Sequence, residues 1–143
     1  MKCLTVFALV LGSAFALLPG SLQLSAHVCK DEEGMVADYK KAMTDLVETV
    51  RKESLLDFEK AFHQRTVMSK LTLLGSIVDG LISCLEKRAS DPTVLQEDAI
   101  AAKGKLAAYN KLKDMIKQDR DALKAAQNGK DAKALIEKFV FTP

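Results

Sequence analysis

Two histidines, His27 and His63, and three cysteines, Cys3, Cys29 and Cys84, are the scarce reactive residues of this chain. A zinc site wants several His, Cys or carboxylate ligands on one face, and this sequence has no such cluster. His27 at a processed N-terminus could hold copper weakly. Nucleophilic catalysis needs a nucleophile, a base and an orienting group. Cys84 with His63 is a conceivable dyad, but Cys84 lies in an apolar helical context and is better explained as half of a disulfide. Ser54, Ser69, Ser76, Ser83 and Ser90 fall in helical or capping contexts, without a G-x-S-x-G turn around any of them. Asp119 with Asp121, and Glu97 with Asp98, are carboxylate neighbours, but residues one or two apart on a helix point in different directions. The sequence has no Gly-rich phosphate loop, EF-hand spacing or glycosylation acceptor. The expectation is a non-enzyme with no catalytic residue, metal or cofactor.

The cysteines must be read with the N-terminus. Lys2 supplies a positive start, Leu4–Leu18 is apolar and uncharged, Pro19-Gly20 breaks it, and Leu24-Ser25-Ala26 offers a small-residue cleavage site. This is the pattern of an export signal over residues 1–26. An alternative cut after Ala16 leaves an apolar Leu17-Leu18 start. A membrane anchor is the competing reading, but the run is shorter than the roughly 20 residues a spanning helix needs. No later stretch reads as long and charge-free enough to span a bilayer. The mature chain, 27–143, is therefore expected to be one secreted, extracellular domain in an oxidising space. Cys3 leaves with the signal, and Cys29 and Cys84 remain as a pair closing a 55-residue loop. A free or intermolecular thiol is the alternative.

Composition narrows the class. The whole chain carries 21 Lys+Arg against 19 Asp+Glu, and losing Lys2 makes the balance +1. A nucleic-acid partner would want a dense basic face, so none is expected. At 28% charged and 48% hydrophobic, the chain should fold. Two mature cysteines exclude a disulfide-dense miniature scaffold.

Few breakers and abundant Ala, Leu, Lys, Glu and Asp predict helices. The first runs from Asp31 to about Glu53, with Met35, Tyr39, Ala42, Met43, Leu46, Val47 and Val50 on one face. The second region, Ser54 to Arg88, is capped by Ser54 and striped by Phe58, Phe62, Val67, Leu71, Leu74, Val78, Leu81 and Leu85. Its bend is expected at His63–Thr66 or Gly75. Ser90 or Asp91 caps a third region, with Pro92 in its first turn, reaching about Gln127. Leu95, Ala99, Ala102, Leu106, Tyr109, Leu112, Ile116 and Leu123 mark its face, and Gly104 and Asn110 invite a kink. Asn128-Gly129 reads as a C-terminal stop. A last helix from Asp131 to about Phe139 could send Ala134, Leu135 and Val140 to the core. The predicted fold is all-α: one compact bundle of four to five mostly antiparallel helices with one disulfide.

Two surface features remain. Lys105, Lys111, Lys113, Lys117, Arg120 and Lys124 alternate with acids along the third region. They read as an ordinary solvated face or as a docking surface for an acidic patch on a plasma protein. Phe139 and Phe141 read as core or as an exposed apolar anchor for a partner. A helical domain without chemistry points to a binder. The signal, Cys29-Lys30-Asp31-Glu32-Glu33-Gly34, the amphipathic body and Ser83-Cys84-Leu85-Glu86-Lys87 together resemble the anophensin/albicin family of small helical salivary proteins of anopheline mosquitoes. The resemblance spans the mature chain and is one of architecture. It implies a non-enzymatic inhibitor of a host plasma or complement protein, acting on the alternative complement convertase or on contact-phase (kallikrein–kinin) factors. It carries over no site residues. The alternative is a carrier of a small apolar ligand, with Met43, Phe58, Phe62, Met68 and Met115 lining a pocket.

Overall fold

The computed structural model describes residues 29–141, so the expected signal segment, Cys3 and His27 lie outside the described residues. Five helices follow one another: α1 (Lys30–Lys52), α2 (Leu55–Lys60), α3 (His63–Ser90), α4 (Gln96–Ala125) and α5 (Gly129–Ile136). The chain is all-α over this range, as its composition predicts.

α1 carries Asp31, Glu32 and Glu33 in its first turn and Arg51 and Lys52 in its last, both favourable to the helix dipole. Its buried edge is Val36, Met43, Val47 and Val50. Val36 replaces Met35, which is 49% exposed. α3 is the central element, burying Val67, Leu71, Leu74, Val78, Leu81, Ile82 and Leu85. Burying one such side chain contributes about 1.5–3 kcal/mol. By length and composition α3 is also apolar enough to cross a membrane, contrary to the sequence expectation that no later stretch would be. Its apolar stripe is instead the core of the bundle.

Two covalent and polar ties set the topology. Cys29 at the start of α1 is disulfide-bonded to Cys84 near the end of α3, with Cα atoms 6.0 Å apart. Glu53 after α1 bonds His63 at the start of α3. These two helices therefore run antiparallel. Lys113 of α4 reaches Asp79 of α3 at 3.0 Å, and Gly75 of α3 lies against Ile116 of α4. That pair is antiparallel too, joined by a short turn.

Several boundaries differ from the expectation. The second region breaks at Ala61-Phe62, next to the expected His63–Thr66 bend, and Gly75 sits unbent inside α3. An added Cβ at Gly75 would only touch Ile116, at 3.7 Å. Asp91 does not cap α4. Its carboxylate accepts from the Thr93 N–H at 2.8 Å and the Thr93 hydroxyl at 2.7 Å. This local turn competes with helix initiation, so Pro92 stays outside and α4 starts at Gln96. Those same hydrogen bonds hold Asp91 below its ordinary pKa. α4 runs through Gly104 and Asn110 without interruption. Asn128 is not a stop but a start: its side chain accepts from the Asp131 N–H at 2.8 Å and caps α5. From the C-terminal segment Ala132, Ile136, Phe139 and Phe141 enter the core, whereas Ala134 and Val140 stay exposed. Leu135 packs against the core from a partly buried position.

Candidate functional site

The feature with the strongest claim to function is the elbow between α2 and α3. Ser54 begins it by accepting the Asp57 N–H at 3.1 Å. α2 then lasts six residues and turns its one buried side chain, Phe58, inward. At Phe62 the backbone adopts a left-handed conformation, φ 56°. One helix ends and the next begins there: the Phe62 N–H donates to the Glu59 carbonyl at 3.1 Å, and the Phe62 carbonyl accepts from the Arg65 and Thr66 N–H groups. A left-handed non-glycine residue costs roughly 1–2 kcal/mol. His63 secures the far side through its bond to Glu53 and an edge contact with Phe58, ring centroids 6.3 Å apart.

This geometry lifts the Phe62 ring outward, 63% exposed, with the Arg65 guanidinium 5.5 Å from its centroid. Beside it opens a groove of about 640 Å³. Phe58, Met68 and Leu123 form apolar walls, and Arg65, Lys124 and Glu59 supply charge. The Glu59 side chain lies against Gly129, where any Cβ would overlap its carboxylate. Glycine at that position lets an acid sit at the positive end of α5. Leu55 and Leu56, both exposed, extend the apolar character of α2.

The basic row of α4 is not one face. Lys105 pairs with Glu33 at 2.9 Å, and the Tyr109 hydroxyl donates to the other Glu33 oxygen at 3.4 Å. Burial, then the Glu33 charge, pushes the Tyr109 pKa up. Lys113 is held by Asp79, which raises its pKa, and Lys117 pairs with Asp121 at 3.0 Å. Lys113, Lys117 and Arg120 line a shallow groove of about 230 Å³ toward α3 that also contains Asp79 and Asp121. Lys111 and Lys105 face α1, and Lys124 faces the elbow. A helix turns about 100° per residue, so a run in sequence spreads around the cylinder.

Phe139 and Phe141 are 7% and 3% exposed and meet edge to face at 6.2 Å. The exposed-anchor reading of these two is therefore overturned, because their rings close the core. Of the expected carrier lining, Phe58, Phe62 and Met68 meet at the elbow groove, whereas Met43 is buried in the core and Met115 lies in the α1–α4 groove. Among the described residues no three His, Cys, Asp or Glu side chains converge on a metal-sized site. A spacing of four from Phe58 predicts Phe62 on the buried stripe of one continuous helix. The break at Ala61 removes that periodicity and turns the ring to solvent.

Comparison with protein-family models, with characterised proteins and with solved structures gives no match to this chain.

Proposed function

We propose that this chain is an exported binding protein that acts by protein–protein contact, with the α2–α3 elbow as its contact surface. The observation that carries this reading is Phe62, an exposed aromatic ring held by a costly backbone conformation beside an arginine, on the edge of a groove with apolar and charged walls. Aromatic and arginine side chains over a well-formed pocket dominate binding energy at protein interfaces. A disulfide fits an oxidising compartment, and the N-terminal sequence pattern fits secretion.

The resemblance to salivary inhibitors narrows the proposed partner to a host plasma or complement protein. The action would be inhibition of the alternative complement pathway or of contact-phase activation. The test is purified, oxidised mature protein in alternative-pathway haemolysis and in contact-activated clotting. Inhibition in either assay, lost on Phe62→Ala, supports the reading. No effect on either rules out this target class, and inhibition undiminished by Phe62→Ala rules out the elbow.

A further inference from the structure

A second groove, about 400 Å³, runs between α1 and α4 on a different face from the elbow. Its floor is apolar, made by Leu112, Met115 and the ring of Tyr109. Lys40 of α1 and Lys105 and Lys111 of α4 stand around it. Glu33 is the acid in the lining, and it is already engaged by Lys105 at 2.9 Å and by the Tyr109 hydroxyl at 3.4 Å. Lys40 and Lys111 have no carboxylate within ion-pair distance among the described residues. Two uncompensated ammonium groups beside one apolar trough create a local positive potential that an anion relieves. A simple inorganic anion would leave the apolar floor wet, and a neutral hydrocarbon would leave the ammonium pair unanswered. The volume lies within the roughly 300–1,000 Å³ typical of small-molecule sites.

We propose that this groove binds an anionic amphiphile: a carboxylate with an unbranched hydrocarbon chain. The carboxylate sits between Lys40 and Lys111, and the chain lies along Leu112 and Met115. Both lysines carry flexible stems whose methylenes can cover the chain while their heads stay hydrated.

Dodecanoate and dodecanol, titrated into the oxidised protein, separate the two contributions. The chain has no Trp and two Tyr, Tyr39 and Tyr109, so a change in tyrosine fluorescence that persists in Tyr39→Phe reports on Tyr109 in the groove lining. Dodecanoate should bind and dodecanol should bind more weakly. The surface double variant Lys40→Gln/Lys111→Gln should weaken dodecanoate about tenfold through loss of charge-assisted contacts and leave dodecanol unchanged. Ala108→Phe, which fills the groove mouth, should weaken both. Phe62→Ala should alter neither, which keeps this site distinct from the elbow. No binding of dodecanoate, equal binding of the alcohol, or full dodecanoate affinity in either groove variant overturns the proposal.

Discussion

Glu53 bonds His63 across the base of the elbow, so the residue that ends α1 grips the residue that begins α3. Ten positions separate them, and α2 is the arch between. Their side chains are only 14% and 19% exposed, so water replaces a lost partner only in part. Glu53→Ala or His63→Ala should therefore cost about 1–3 kcal/mol, the penalty of leaving the other, mostly buried polar group without its partner. Urea unfolding measures the cost, and faster hydrogen exchange confined to α2 would show that the arch loosens first. An unchanged urea midpoint for both variants would mean that the pair merely decorates the turn.

The elbow sets stability against recognition at Phe62. Glycine adopts φ 56° without the steric cost a Cβ brings. The ring is mostly solvated, so little burial is lost on removing it. Phe62→Gly should be neutral or stabilising by up to about 1 kcal/mol, while abolishing partner binding. Thermal unfolding and a binding assay on the same preparation check both halves. A clear loss of stability would show that the ring supports the fold.

Reducing the Cys29–Cys84 link opens a loop of 55 residues. The chain-entropy model assigns such a link about 4 kcal/mol. The reduced protein and a Cys29→Ser/Cys84→Ser variant should unfold at similarly lowered urea concentrations. Reductant should leave the double variant unaffected.

Asp119 lies partly buried on α4, three residues after the buried Ile116 and four before the buried Leu123, and desolvation pushes its pKa to about 6 from an ordinary 3.8. The folded state thus holds this proton more tightly than the unfolded chain. Its contribution to stability is full below pH about 4 and is lost as the pH rises through 6. Asp119→Asn should raise stability at neutral pH and flatten the stability profile between those values. The carboxylate is partly solvated, so screening reduces the gain to about 1 kcal/mol, below what the full shift implies. Urea midpoints at pH 4, 5, 6 and 7 for both proteins test the sign.

The helical class, the seams of α1 and α3 and the disulfide were legible because each rests on a local rule: residue type, spacing, or the count of cysteines left after export. Val67 through Leu85 keeps helical period over many turns, and such a run has one sensible burial pattern. The errors fall where one residue can serve two ends of a helix. Asn128 fits a C-terminal stop or an N-terminal cap, and only the Asp131 N–H it captures decides between them. Asp91 reads as an N-terminal cap of α4, but Thr93 takes its carboxylate instead. The candidate site was harder to find. Nothing in Ala61-Phe62-His63 signals a left-handed residue, since glycine or asparagine normally marks one. Glu53 and His63, which hold it in place, are paired only through the tertiary path of the chain.

The staple at Cys84 and the turn at Phe62 sit 22 positions apart along α3. At 1.5 Å per residue that is about 33 Å. The disulfide ties one end of α3, and the elbow groove lies at the other, where Glu53 and His63 hold the turn without a covalent link. Exposed elbow positions such as Leu56 and Phe62 can therefore change while the disulfide and the buried Phe58 keep the frame, so the contact surface is separable from what holds the fold.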